Sequence, residues 1–461
     1  MRRFATYIFV ISLLHGLPGR AAAAQGGAGA PAGSEESGQA VLTLPDALRA
    51  GLLHDPGLLA LRAGAAASES DLKIALGARW PRLVAEASWH ATDNPALVFG
   101  DKLTAGRFLP ADFAIDSLNR PGAADHAAAA VVLEAPLYTS GRIRAGIDEA
   151  RDTSLADQAG VRAAESDLVA RVTAAYYGVS LAAAGVGTAE ASLASATGHE
   201  RVALARFENG AALKSDFLRA QVRRLARERG LDRARADLDL AGTRLRLLIG
   251  LAVNGPSLPT ASNLTPPSVP IGDLQEWIDA AASARYEIEA VRRTSLAAQA
   301  RTRAAGAAGG PEIAGTARYE RNAADLRGGE GTFFAGVGIR WTAFDRGRSA
   351  RQEAARQRAT AAAAAIRATE DAVRLEVERA YRDAEVAGRD LVAARQAVAA
   401  AEEARRISAD RYASGLLPLT DLLDSEESLH EARLAEIAAR HDAVLGRVLL
   451  QRAAGRLEVP R

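Results

Sequence analysis

The sequence contains no cysteine. Disulfide scaffolds, thiolate zinc sites, iron–sulfur clusters and cysteine nucleophiles are thereby excluded, and lipid anchoring through an N-terminal Cys is not expected. Met1 is the only methionine, so there is no Met-rich soft-metal site. Aromatic residues make up 5% although hydrophobic residues reach 48%. Alanine supplies much of the difference, and small apolar side chains suit close helix–helix contact better than a bulky core. Neither sign of charge dominates: 57 Lys and Arg oppose 56 Asp and Glu, a net +1. No nucleic-acid partner is expected, because phosphate binding leans on clustered excess basic residues. There is no GxxxxGK phosphate loop, and the seven histidines show no metal-ligand spacing. Paired carboxylates such as Glu402 and Glu403 read as solvated helix surface. No catalytic constellation can be assembled, so the sequence predicts no enzyme, no cofactor and no resident metal.

Long apolar runs are also scarce. One spans residues 4–17, after Arg2 and Arg3 and before the small residues Ala22, Ala23 and Ala24. This is the pattern of a secretory signal peptide over residues 1–24; the run is shorter than the roughly 20 residues of a spanning helix. Residues 25–41, rich in Gly, Ala and Ser, read as a flexible leader. No later stretch holds 18 uncharged apolar residues. Any membrane insertion by the exported chain must therefore use β-strands.

What the sequence does have is itself, twice. Tyr176 and "RFENG" at 206–210 recur as Tyr381 and "RYASG" at 411–415, both at an offset of 205. At the same offset Asp216 meets Asp421, Leu245 meets Leu450 and Gly250 meets Gly455. The first repeat covers 42–255, a linker 256–271, and the second repeat 272–461. Each repeat reads as short helix, strand pair, long helix, return helix. The first has helices at 45–79, 141–208 and 214–249, with Thr43 as cap and Pro45 and Asp46 in the first turn. The second has helices at 272–308, 347–413 and 419–454. Val172, Tyr176, Val179, Ala183 and Val186, and likewise Val377, Tyr381, Ala384, Gly388 and Leu391, step by four and three. That heptad seam predicts antiparallel coiled-coil pairing. A helix of about 67 residues at about 1.5 Å each is roughly 100 Å long, too long for one compact domain, and no proline interrupts it.

Two windows, 80–138 and 311–344, break this pattern. They hold about a fifth of the residues beyond the signal segment but about half of its aromatics. Within them Leu83, Ala85, Ala87 and Trp89 alternate with Val84, Glu86, Ser88 and His90, and Phe333, Ala335, Val337, Ile339 and Trp341 with Phe334, Gly336, Gly338 and Arg340. Strands are expected near 82–90, 127–138, 312–321 and 332–342, with 93–125 as an exposed loop. Apolar-out, polar-in strands with terminal aromatics fit a transmembrane β-barrel. Four strands cannot close one, since a barrel needs about eight or more and open edges are not tolerated in lipid. The barrel must be shared between subunits.

The signal peptide, the duplication, the hairpins and the four strands together resemble the TolC family of outer-membrane efflux proteins. The resemblance is carried by "LTLPDALRAGLLHDPGL" at 42–58, "LYTSGR" at 137–142, "AYY" at 175–177, "RFENG" with Asp216, and "RYASGLLPLTDLLDSE" at 411–426. It implies an α+β membrane protein forming a homotrimer. Three chains would give a 12-stranded barrel in the outer membrane of a Gram-negative bacterium, continued by a periplasmic helical tunnel. It further implies a passive duct for efflux or type I secretion that opens at its periplasmic tip like an iris. Its expected partners are a periplasmic adaptor (membrane fusion) protein, an inner-membrane transporter and outer-membrane lipid.

The resemblance assigns Asp421 and Asp424, one helical turn apart, to a constriction ring, although an Asp there also suits helix capping. It assigns Tyr412, Ser215 and Asp216 to a latch holding the tip closed. Leu417 stands where the family's prototype has an Arg. The turns Gly210-Ala211-Ala212 and Gly415-Leu416-Leu417 match the adaptor-contacting tip. The alternative is a periplasmic coiled-coil adaptor or scaffold without a barrel, which would lack the aromatic strands. The transported cargo is not encoded in these features.

Overall fold

The structure, a computed structural model, describes residues 41–252, 265, 271–324 and 328–460. The signal peptide, the leader up to residue 40 and most of the linker lie outside the described residues. The Thr43 hydroxyl accepts from the Asp46 amide and caps α1 (Leu44–His54). The single helix expected over 45–79 is in fact two. Asp55 adopts an extended conformation ahead of Pro56, and its carboxylate accepts from the Leu58 amide at 2.8 Å, which starts α2 (Pro56–Gly77) afresh. Strand β1 (Arg82–Thr92) follows. The expected loop at 93–125 is largely helical: it holds α3 (Pro95–Thr104), a 3₁₀ turn (Pro110–Phe113) and α4 (Ile115–Asn119). Strand β2 (Ala124–Tyr138) leads into α5 (Arg142–Glu208), and α6 (Lys214–Leu248) returns.

The second half repeats the plan. The helix expected over 272–308 is again divided, here into α7 (Leu274–Ala284) and α8 (Tyr286–Ala307). Arg285 sits at the break, buried, with its guanidinium donating to Glu287, Glu376 and the Ala453 carbonyl. Strands β3 (Glu312–Ala323) and β4 (Glu330–Arg340), α9 (Arg348–Ala413) and α10 (Leu419–Ala453) complete the chain.

The core is a series of clusters along two very long helices, α5 of 67 residues and α9 of 66. At the middle of α5, Leu168, Val169, Val172, Tyr176 and Val179 pack against Ala47, Leu48 and Leu58 from the short helices and Leu245 and Ile249 from the return helix. Short and return helices thus meet end to end beside the long one. Tyr176 donates its hydroxyl to the Leu42 carbonyl, and Tyr381 donates to that of Gly272, so each long helix ties down the start of its own half. The second half packs Trp277, Ala281 and Ile288 on Val373, Val377, Ala384 and Leu450. Val377, Ala384 and Leu391 are buried at seven-residue steps, as are Ala189, Ala196 and Ala203. Two seam positions differ from expectation: Ala183 and Gly388 are exposed, and Ala387 is buried beside the latter. An α-helix has 3.6 residues per turn, so a stripe stepped at 3.5 drifts around a straight helix and neighbouring positions take over. Among the described residues one helix, α5, is long and apolar enough by composition to cross a membrane. Val172, Tyr176 and Val179 in that helix are buried, so this apolarity serves packing.

The four strands form one antiparallel sheet in the order β1-β2-β3-β4, with β1 and β4 at its edges. Residues 127–130 are all alanine, a weak strand former. They are held because β2 pairs on both sides, with β1 and with β3. One face carries the rows Leu83, Leu133, Ala317, Ala335 and Ala85, Val131, Tyr319, Phe333. The other carries charge: Arg82 bonds Glu134 at 3.2 Å, and Arg318 bonds Glu86 at 3.0 Å and also reaches Glu320. Trp80, Tyr138, Trp341 and Phe344 are exposed at the end joined to the helices, Trp89 and Phe333 towards the other. Where sheet meets helix, Ser140 donates to the Pro311 carbonyl at 2.7 Å and Arg142 to Glu312 at 2.7 Å, which links the two halves.

Candidate functional site at the hairpin tips

Each hairpin turns on a glycine in the left-handed region, Gly210 at φ 72° and Gly415 at φ 74°. The amide of Ala211 donates to the Arg206 carbonyl at 2.8 Å, and that of Leu416 to the Arg411 carbonyl at 2.9 Å. These are matched Schellman-type stops, which satisfy end carbonyls of α5 and α9. Nothing lies within 4 Å of a Cβ built on either glycine, so backbone conformation alone demands it. Of the turn residues, Leu416 stands 77% exposed, whereas Ala212 and Leu417 are half-buried.

Just behind the turns, Leu419, Leu422 and Leu423 of α10 are buried against Ala203 of α5 and Ala220 of α6. This cluster orients Asp421 and Asp424. Leucines 422 and 423 face inward, so both carboxylates lie on the exposed side of the helix. Asp421 makes no side-chain cap of α10; its carboxylate accepts from the neighbouring Thr420 hydroxyl at 3.1 Å. Asp424 has only a long approach, 3.9 Å, from Arg223 of α6. The capping role is therefore not made by hydrogen bonding, and both carboxylates are exposed, with one weak partner each.

The expected latch residues all lie near the hairpin tips, Tyr412 at the end of α9 and Ser215 and Asp216 at the start of α6. No hydrogen bond joins Tyr412 to Ser215 or Asp216 within the chain. Ser215 is exposed and Asp216 pairs at 3.9 Å with Arg219 on its own helix. Tyr412 is held by Arg206 from the other hairpin. That guanidinium lies 4.4 Å from the ring centroid and donates at 3.3 Å to the carbonyls of both Tyr412 and Ala413. A cation is thus placed on the negative end of α9 and over an aromatic face.

A polar layer above this tie also joins the hairpins. His199 of α5 bonds Glu426 of α10 at 3.1 Å, and Arg405 of α9 approaches the same carboxylate at 3.6 Å. Burial works to raise the Glu426 carboxyl, but the His199 hydrogen bond, the His199 and Arg405 charges and Ser195 together hold it below the usual carboxylate value. Glu427 accepts from Arg227 at 2.6 Å and from Arg223, tying α6 to α10. Burial, then the charge of Arg227, push the nearby His430 below the ordinary histidine value against the opposing pull of Glu427 and Glu431. Sequence reading missed Arg206, His199, Glu426 and Glu427. A signal exists for the first two: they are seven residues apart, beside the buried Ala196 and Ala203, and so share a stripe next to the seam.

Comparison with known proteins agrees with this architecture. The chain is similar to the outer membrane protein VceC from Vibrio cholerae, with 20% identity and a TM-score of 0.75 over 89% of this chain and 96% of that one. It is similar to the CmeC outer membrane channel of Campylobacter jejuni, with 16% identity and a TM-score of 0.78 over 91% and 87%. It is also similar to the open state of the Neisseria gonorrhoeae MtrE outer membrane channel, with 21% identity and a TM-score of 0.73 over 90% of each. No curated relative matches. The sequence pattern of outer membrane efflux proteins fits residues 47–251 and again 277–456, one match to each half of the duplication, so the chain belongs to the outer membrane efflux protein family.

Proposed function

We propose that this chain is one third of an outer-membrane exit duct for efflux or type I secretion. The observation that carries the reading is the sheet. It has one apolar, exposed face, one charged face, two free edges and aromatic side chains near both ends. An 11-residue strand such as β1 extends about 36 Å, and a tilt of about 40° brings its height to roughly 28 Å, close to a bilayer's apolar thickness. Free edges are costly in lipid. Three copies joined β4 to β1 give 12 strands and remove every edge, with the charged face lining a lumen. The helices, about 100 Å long, continue the wall into the periplasm.

On this reading the chain supplies no energy; an inner-membrane transporter does, through a periplasmic adaptor. The turns at Gly210-Ala211-Ala212 and Gly415-Leu416-Leu417 are the docking points for that adaptor, with exposed Leu416 as an apolar contact. Threefold repetition gathers Asp421 and Asp424 into six carboxylates at the narrow end, and leaves exposed Ser215 and half-buried Asp216 for a neighbouring copy. Opening separates the hairpins at the tip against the Arg206 tie. The test is biochemical: the purified protein should need detergent for extraction, run as a trimer, and give single-channel conductance in planar bilayers. A monomer released by salt washing would overturn the reading.

A further inference from the structure

The sheet's charged face also holds a cluster of histidines. The register sets His90 of β1 directly opposite His126 of β2. Their rings lie 5.2 Å apart, on the same face as Glu86, Arg318 and Glu320. Asp101 reaches over this pair from α3, in the excursion between β1 and β2. One carboxylate oxygen bonds His90 Nε2 at 2.9 Å; the other stands 3.6 Å from His126 Nδ1. The remaining nitrogen of His126, Nε2, is 3.1 Å from Oδ1 of Asn322 on β3. His126 and Asn322 are 6% and 2% exposed, and His126 Nδ1 has no hydrogen-bond partner.

Both ring nitrogens of a buried imidazole therefore face oxygen acceptors. A neutral ring carries one N–H and can satisfy one of them, leaving a lone pair turned towards the other; an imidazolium carries two and satisfies both. Among the described residues no group of three or more His, Asp or Glu is arranged to hold a metal ion. Several of the surrounding charges are engaged elsewhere. On the sheet, Arg318 is shared by Glu86 and Glu320, and Glu320 lies within electrostatic reach of His126. On the excursion, Lys102 is taken by Asp112 at 2.7 Å, and Arg107 donates to the Asp125 carbonyl. The Glu330 side chain of β4 packs over Gly106.

We propose that His126, Asp101 and Asn322 form a proton-operated clasp that fastens the β1–β2 excursion to the charged face of the sheet. Taking up a second proton on His126 converts the 3.6 Å approach to Asp101 into a charge-assisted hydrogen bond that links α3 to β2 and β3. Losing it leaves His90 as the only hydrogen-bonded histidine on Asp101, and the excursion loosens. That this face lines a lumen rests on the duct reading above, in which the clasp sets how far the excursion narrows the outer mouth. The clasp itself is measurable without conduction.

The chain has no cysteine, so Leu109→Cys, at an exposed position of the excursion, places one nitroxide spin label on the full-length protein. The expected result is a reversible shift from the immobile to the mobile spectral component as pH is raised from about 5 to about 8. Asp101→Asn, which alters only the excursion side, should be mobile throughout. His126→Gln should lose the pH step, and His90→Gln should keep it. A spectrum of the otherwise unaltered protein that does not change with pH would overturn the proposal, as would a step that survives His126→Gln. Absent conductance with an intact pH step would instead count against the duct reading alone.

Discussion

Removing the Arg206 guanidinium should make the tips come apart more readily. Arg206 contributes a cation–π contact to Tyr412, about 0.5–1 kcal/mol at a partly exposed site. It also places charge on the last carbonyls of α9, worth about 0.3–1 kcal/mol for a partly exposed helix C-terminus. The two 3.3 Å bonds are long and touched by solvent, so the lower part of that range applies. Together they give about 1–1.5 kcal/mol per chain, a factor of roughly 5–15 in the ratio of separated to joined hairpins. Arg206→Leu should therefore raise the open fraction in planar bilayers by about that factor or more, since three chains contribute. Arg206→Lys should recover the ring contact but not the paired carbonyl bonds, and fall between. A double-mutant cycle with Tyr412→Leu isolates the ring term, expected at about 0.5–1 kcal/mol. If Arg206→Leu leaves the open fraction unchanged, or the cycle shows no coupling, this tie does not hold the tip.

Acid should weaken the same region in two steps. His430 is held below its ordinary value of 6.5, so the unfolded chain takes up that proton first and stability falls as pH drops below 6.5. Glu426 is held below its ordinary 4.5, so its contribution is present above that pH and lost as pH falls through the lowered value. Thermal unfolding followed by circular dichroism should show Tm falling from neutral pH downward, with His430→Gln removing the upper step; a flat profile would contradict the sign. Replacing both Asp421 and Asp424 by Asn should weaken block by divalent cations in single-channel recordings, and unchanged block would remove them from any constriction. Gly415→Ala should cost about 1–2 kcal/mol through its positive φ. Gly160→Ala, in the interior of α5 with open space around its Cβ, should stabilise by roughly 0.5–1 kcal/mol; equal effects in chemical denaturation would refute the backbone argument.

The long helices, the strand windows and the tip turns were legible because each depends on local pattern. Heptad spacing, alternation around Leu83 and Phe333, and glycines at 210 and 415 act over a few residues. The division of the short helices at Asp55 and Arg285 was harder to read. Pro56 marks the first break in sequence, but Arg285 breaks the second by binding Glu376 and the Ala453 carbonyl, partners 91 and 168 residues away. The helical content of the β1–β2 excursion was also hidden, since its short helices lean on the sheet rather than on periodicity of their own.

The lack of cysteine excluded thiolate chemistry at once, and the duplication determined the architecture, because a repeated pattern of local signals folds twice into the same unit. Which side chains meet was decided only by tertiary structure. Within one chain Tyr412 finds Arg206, a partner set by how the two hairpins cross and not by sequence spacing. His90, Asp101 and His126 look scattered in the chain, and become one cluster because strand register and a folded excursion bring them together.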